Sequence, residues 1–347
     1  MISRKRFEKF LQEKNEKSFR IKQILTHYYK SSVRDFTDVF DIPKILRKDL
    51  TDFILDEEKK VPEEFEVATS RDGTEKVLFK TSDGKFFESV FIPHEKRNTI
   101  CVSSQIGCPV KCAFCLTGTM GFFRNLTSAE ILYQVFYWQK KYKFQNIVFM
   151  GQGEPFLNFD VVAESVETLS DNLAFGFGAR HITVSTSGIT SKILEFAHVL
   201  RGQANLAISL HAPNQILREK LVPFAKKFPL DDLMEICKEY VKLTKRKIFF
   251  EYVMLKNVND TEKEAYECGK ILSQNPLFHL NLINYNETEL GFEKSTKNRI
   301  ESFAKIVRSF GVQVTIRPSH GEESFSACGQ LGNRKIKDLG QKSSEHF

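Results

Sequence analysis

From Ile100 onward the chain alternates short apolar runs with amphipathic stretches, and this alternation constrains its fold more than any other feature. Ile100–Ser104, Ile147–Gly151, His181–Thr186, Ala204–His211, Ile248–Leu255, Phe278–Tyr285 and Val312–Arg317 read as strands. Helical periodicity falls between them, near 127–142, 160–171, 190–200, 230–244, 261–274 and 296–310. Buried strands separated by helices predict parallel βαβ units, in an open doubly wound sheet or a partial (β/α) barrel. Ligands in such folds are held at the C-terminal ends of the strands. Polar residues gather there: Gly151-Gln-Gly-Glu-Pro155 after the second strand, Ser185-Thr-Ser-Gly188 after the third, Ser209-Leu-His-Ala212 after the fourth and Asn284-Tyr-Asn286 after the sixth.

Just after the first of these strands, Cys108, Cys112 and Cys115 form a C-x3-C-x2-C triplet. Three thiolates at this spacing can bind three irons of a [4Fe–4S] cluster and leave the fourth open to an external ligand. Structural zinc would instead need a closed shell of four ligands, usually two C-x2-C knuckles, and no second knuckle follows. Buried core thiols are the remaining alternative. The total of seven cysteines is odd, which argues against a disulfide framework.

The rest of the sequence supplies context. Hydrophobic content of 41% and charged content of 27% over 347 residues suit an ordinary globular protein with one or two domains. No run approaches the roughly 18 apolar residues of a membrane span, and the opening Met-Ile-Ser-Arg-Lys-Arg-Phe is charged. The expected location is the cytoplasm, away from membranes, with the chain acting as a monomer. Net charge is +7, and residues 1–50 hold 13 Lys or Arg against 7 Asp or Glu. That surplus suits a polyanion such as RNA as well as a solvated face. Residues 1–56 read as a helical basic accessory domain for RNA, 57–95 as a linker (57–64) and a β-hairpin around Ser82-Asp83-Gly84, 96–332 as the core, and 333–347 as a polar tail.

Taken singly, the polar strand ends are weak signals. An isolated Gly-x-Gly is usually a tight turn, a lone Ser is usually a helix cap, and a lone His is usually a satisfied core residue. The triplet with Phe114 inside its last C-x2-C resembles the signature of the radical S-adenosylmethionine (SAM) superfamily. That resemblance implies a partial (β/α)6 barrel and a [4Fe–4S] cluster on Cys108, Cys112 and Cys115. It also implies SAM bound by Gly153, Glu154, Ser185, Ser209, Leu210, His211 and Asn286, with Glu154 on the methionine ammonium and Asn286 on the adenine.

The resemblance narrows with Cys101-Val-Ser-Ser-Gln105, Met150-Gly-Gln-Gly-Glu-Pro155, Ser209-Leu-His-Ala-Pro213, Glu251-Tyr-Val-Met-Leu255, Val258-Asn-Asp260 and Ala327-Cys328-Gly-Gln-Leu331. Together they resemble the RlmN/Cfr family of radical SAM RNA methyltransferases, from about Phe19 to Gly332. Adenine C2 and C8 lack useful nucleophilicity, so a radical route supplies what direct methyl displacement cannot. The resemblance implies that one SAM methylates Cys328, and that a second is cleaved to a radical that takes hydrogen from the S-methyl group. The carbon then adds to adenine. Glu88 would accept the ring proton, and Cys101 would attack the Cys328 sulfur, releasing the methylated base and leaving a transient disulfide. Two SAM molecules are thus used per turnover, with an electron donor such as flavodoxin or ferredoxin.

RlmN-type members methylate C2 of an adenosine in the peptidyl-transferase centre of 23S rRNA and often C2 of adenosine 37 in tRNAs; Cfr-type members methylate C8 of the same rRNA base. Pro155 and Ser209-Leu-His-Ala-Pro213 resemble the former, whereas Arg20-Ile-Lys-Gln23 resembles the latter. Gln152 stands in place of the usual Met and His320 in place of the usual Arg, while Glu323 for Asp is a milder departure. The balance favours C2. A radical SAM enzyme without methyl transfer would not need Cys101 and Cys328, and an RNA-binding protein with a structural cluster would need no polar strand ends. Cys237 and Cys268 read as core thiols within amphipathic helices.

Overall fold

The structure is a computed structural model and describes residues 1–318, 320, 321, 326, 327 and 329–332. The expectations for Cys328, Glu323 and the tail 333–347 therefore lie outside the described residues.

Helix α1 (Arg4–Glu13) starts on Ser3, whose Oγ accepts from the Arg6 N–H at 3.1 Å, and buries Phe7, Phe10 and Leu11. Helix α2 (Arg20–Leu25) runs into a π turn over Thr26–Lys30, and α3 (Lys44–Glu58) follows Pro43, whose ring presets the first helical turn. Phe7 meets Tyr28 and Phe53 edge to face, with ring centroids 5.1 and 5.9 Å apart. The apolar faces of these helices join the same core as the sheet. Arg4 pairs with Asp171 at 2.6 Å, and its backbone N–H donates to Thr168 Oγ1 at 3.2 Å. The N-terminal helices are thus docked on the core rather than tethered to it.

Strands β1 (Glu63–Thr69), β2 (Glu75–Lys80) and β3 (Phe86–Ile92) form an antiparallel meander. The stretch 57–64, read from sequence as a linker, instead finishes α3 and opens β1. Strand β4 (Thr99–Cys101) is antiparallel to β3. After it come β5 (Gln105–Gly107), the single turn α4 (Leu116–Thr119) and β6 (Phe122–Asn125), with β5 and β6 paired.

The chain then alternates through α5 (Ser128–Lys141), β7 (Asn146–Phe149), α6 (Phe159–Ser170), β8 (Ile182–Thr186), α7 (Thr190–Leu200) and β9 (Asn205–Ser209). It continues through α8 (Gln215–Leu221), α9 (Leu230–Thr244), β10 (Ile248–Met254), α10 (Glu262–Leu272), β11 (Phe278–Asn284), α11 (Lys297–Ser309) and β12 (Gln313–Arg317). The sheet order β1-β2-β3-β4-β7-β8-β9-β10-β11-β12 is open, and β4 and β7 to β12 are mutually parallel. Six strand–helix units and a final strand make the partial (β/α)6 barrel, with the meander as its extension. One face of these strands is apolar and packs into the main core, as at Ile147, Val184, Leu206, Phe250 and Leu280, while the opposite face carries Ser185, Ser209, Glu251 and Asn281 toward their C-terminal halves. No described helix is long and apolar enough to cross a membrane.

Candidate active site

The three triplet cysteines lie on the loop between β5 and α4, at the C-terminal end of the parallel strands. Gly107 begins the loop at φ +73°, and a Cβ there would stand 1.9 Å from the Gly121 carbonyl oxygen, so only glycine fits. The loop is pinned by Cys108 N–H to Gly121 O at 2.9 Å and by Ala113 N–H to Leu221 O at 2.9 Å. Cys237 and Cys268 are fully buried in α9 and α10, as expected of core thiols, whereas Cys108, Cys112 and Cys115 open onto a cavity. Burial pushes the Cys108 and Cys112 thiols up, and the charges of Cys115 and Glu154 add to the effect. Holding three such sulfurs as thiolates requires a cationic partner, which is what soft sulfur donors select in iron–sulfur clusters. Among the described residues no group of three Cys, His, Asp or Glu converges on a single ion. Ligands at separate corners of a cubane need not converge.

The cavity is walled by the polar strand ends: Gly153 and Glu154 after β7, Ser185 and Ser187 at β8, Ser209 and His211 at β9, and Glu251 on β10. Glu154 is buried, accepting from Phe156 N–H at 2.9 Å and Ser187 N–H at 2.6 Å. Burial raises its pKa against the pull of these bonds, and its free lone pairs suit an ammonium. His211 Nδ1 accepts from Val253 N–H at 3.1 Å, which places the proton on Nε2. Its backbone is left-handed, with φ 57°, a conformation fixed by Asn259, whose Nδ2 donates to His211 O at 2.8 Å and Val253 O at 2.7 Å. Asn259 is thus the structural reason for the Val258-Asn-Asp260 motif. The Ser187 hydroxyl has no hydrogen-bond partner among the described residues, an opening for a polar ligand.

After β7, a Cβ on Gly151 would lie 2.7 Å from Ser103 Oγ, and one on Gly153 would lie 2.5 Å from Gln105 Cβ. Their first task is to seat the strand end against residues 102–105. Leu210 is fully buried, with its N–H on Glu251 O at 3.0 Å, so its side chain belongs to the core.

Glu88 is not the solvent-facing strand carboxylate that β alternation alone would suggest. It is completely buried, with Oε1 2.9 Å from Lys76 Nζ and Oε2 accepting from Gly332 N–H at 2.7 Å and Gln152 Nε2 at 3.2 Å. Gln152 Oε1 also accepts from the Glu88 N–H at 3.2 Å. Burial raises the Glu88 pKa while Lys76 opposes the rise. One carboxylate therefore joins the meander, the strand-end motif after β7 and the C-terminal segment.

A second cavity adjoins the first, sharing Met150 and Ile283 as a wall. Cys101, on β4, lines this second cavity with His94, Arg97, Asn286, Arg317 and His320. Asn286 thus faces the chamber of Cys101 rather than that of the triplet. Cys328 lies outside the described residues. Its neighbour Ala327 lines the second cavity and Gly329 the first, and Leu116 N–H donates to Gly329 O at 2.8 Å. Lys76, Arg97 and Arg317 escaped sequence reading because a Lys or Arg within a strand or loop carries no local pattern of its own.

The sequence profile of the radical SAM superfamily matches residues 102–268, and that of the ribosomal RNA large subunit methyltransferase N-terminal domain matches residues 1–55. The chain is 41% identical to the dual-specificity RNA methyltransferase RlmN of Alcanivorax borkumensis, over 99% of this chain and 91% of that protein. It is 42% identical to a probable dual-specificity RNA methyltransferase RlmN of Clostridium botulinum, over 94% of each. A radical SAM methyltransferase of Sphaerobacter thermophilus has the same fold, with a TM-score of 0.84 at 37% identity over 95% of this chain and 97% of that one. By these relationships, carried over nearly its whole length, the chain belongs to the RlmN family of radical SAM methyltransferases.

Proposed function

We propose that this protein methylates C2 of an adenosine in the peptidyl-transferase centre of 23S rRNA and C2 of adenosine 37 in tRNAs. The observation that carries this reading is the pair of adjoining cavities, with the triplet cysteines opening onto one and Cys101 onto the other, and Glu88 bonded to the segment that leads away from Cys328. Held by Cys108, Cys112, Cys115 and the polar wall, a [4Fe–4S] cluster and SAM would supply methyl transfer and one-electron bond cleavage.

The chain's own groups divide the remaining work. Glu154 and the strand-end backbone bind the ammonium, while the Nε2–H of His211 offers a donor to the same ligand. Arg97, Arg317 and His94 flank the chamber in which a single unstacked nucleotide would meet Cys101. Glu88, held by Lys76 and Gln152, takes the proton from C2. The Cys101 thiolate then attacks the sulfur of Cys328 and breaks its bond to the bridging methylene carbon, which takes up a proton to become the methyl group of the released base, while the Cys101–Cys328 disulfide that forms is reduced by an external thiol. The enzyme works as a cytoplasmic monomer drawing electrons from a flavodoxin or ferredoxin. Mass spectrometry of rRNA and tRNA from cells with and without the gene tests the assignment. 2-Methyladenosine should disappear with the gene, and loss of 8-methyladenosine instead would refute it.

A further inference from the structure

Arg218, on α8, has no exposed surface, and its Nε and Nη1 have no hydrogen-bond partner among the described residues. Its Nη2 donates to Ser187 O at 2.5 Å and to Ser209 O at 3.4 Å, at the ends of β8 and β9 that wall the first cavity. No carboxylate among the described residues pairs with it. Two carbonyl dipoles do not neutralise a guanidinium, and a buried charge left without a counter-ion costs several kcal/mol.

The loop of the cysteine triplet packs against α8. Ala113, inside the cysteine triplet, donates its N–H to Leu221 at the end of α8 at 2.9 Å. Val110 and Phe114 pack with Leu221 and Val222 in one apolar cluster against which the three cysteines lie. A sulfur bound to iron is a thiolate, so loading the site converts the neutral surroundings of Arg218 into anionic ones.

We propose that Arg218 is the fixed counter-charge of the cluster site, a positioning residue that raises the reduction potential of a [4Fe–4S] cluster on Cys108, Cys112 and Cys115. The proposal rests on the cluster reading above. Adding an electron makes the cluster and its three thiolates more negative, and a desolvated cation nearby favours that state. Among the described residues the same cation has no anionic partner in the iron-free protein, where it weakens the fold.

The test compares wild type, Arg218→Met and Arg218→Lys after anaerobic reconstitution, by redox titration of the cluster signal in electron paramagnetic resonance and by urea denaturation of the iron-free proteins. Arg218→Met should show a more negative midpoint and an iron-free stability no lower than wild type, while Arg218→Lys should keep the wild-type midpoint. An unchanged midpoint with lowered iron-free stability in Arg218→Met would reduce Arg218 to a brace for Ser187 and Ser209 and overturn the proposal. If Arg218→Met does not fold, Arg218→Gln takes its place, and a wild-type midpoint there has the same force. Failure of wild type to bind iron at all would instead remove the cluster reading itself.

Discussion

Replacing Lys76 with Met deprives Glu88 of its only charged partner among the described residues, in a site where Glu88 is fully buried and Lys76 nearly so. At 2.9 Å and an effective dielectric of about 20 the attraction is about 6 kcal/mol. Most of it offsets the cost of burying both charges, and breaking one half of such a pair costs about 3–5 kcal/mol. Glu88 can limit this loss by taking a proton. Losing Lys76 removes the charge that opposes the rise, so the pKa that burial has already raised climbs further. More of the carboxyl is then protonated near neutral pH, which weakens it as a base.

The sign follows from linkage. A carboxyl whose pKa is higher in the folded than in the unfolded protein loses stability as pH rises above the unfolded value of about 4.3, until pH passes the folded value. Urea denaturation of Lys76→Met should therefore show a deficit that is small near pH 5 and grows to about 3–5 kcal/mol at pH 8. The double variant with Glu88→Gln should recover at least about 2 kcal/mol of it, because no stranded charge remains. Additive losses in the double variant, or a deficit that does not change with pH, would refute the buried ion pair.

Three further outcomes are expected. Single Ala substitutions at Cys108, Cys112 or Cys115 should each abolish iron–sulfur absorbance in anaerobically purified protein, whereas Cys237→Ala should retain it; full iron content in all three would remove the cluster assignment. His211 is held neutral by burial and by Arg218, with its pKa lowered to about 3, so wild-type stability should fall as pH drops from the unfolded value of 6.5 toward 3, and His211→Asn should flatten that slope. Phe19 and Phe40 are 53% and 81% exposed, with Arg20 and Arg47 each 4.9 Å above their rings, a surface suited to stacking unpaired bases. Phe19→Ser with Phe40→Ser should weaken RNA binding at least about fivefold without altering iron content, and unchanged affinity would place RNA elsewhere.

The core strands and their helices were legible because burial on both faces leaves predominantly apolar runs, as in Ile248–Met254, which only Glu251 interrupts. Strand β1 was not, since its Glu63-Glu64-Phe65-Glu66 opening is largely exposed at the sheet edge and mimics a charged linker. The polar strand ends were legible for a similar reason: serine, histidine and glutamate at the ends of apolar strands stand out against what precedes them. Their assignment to chambers was not. Asn286 follows β11 as His211 follows β9, yet only the sheet's three-dimensional course turns one toward Cys101 and the other toward the triplet. The Lys76–Glu88–Gln152 contact joins positions far apart in sequence, and Arg218 in Gln215–Leu221 looks like surface charge on a short helix. Burial of a charged residue is a tertiary property with no local signature.

The division of labour between Cys101 and Cys328 is tested most directly by comparing Cys101→Ala and Cys328→Ala on denaturing gels after anaerobic reaction with RNA substrate. Cys328→Ala lacks the methyl carrier and should form no adduct. Cys101→Ala keeps the carrier and the base but lacks the thiol that releases the product, so a slow-migrating, nuclease-sensitive protein–RNA band should accumulate in that variant alone. An equal band from Cys328→Ala, or none from a Cys101→Ala protein that still carries its cluster and cleaves SAM, would contradict the scheme.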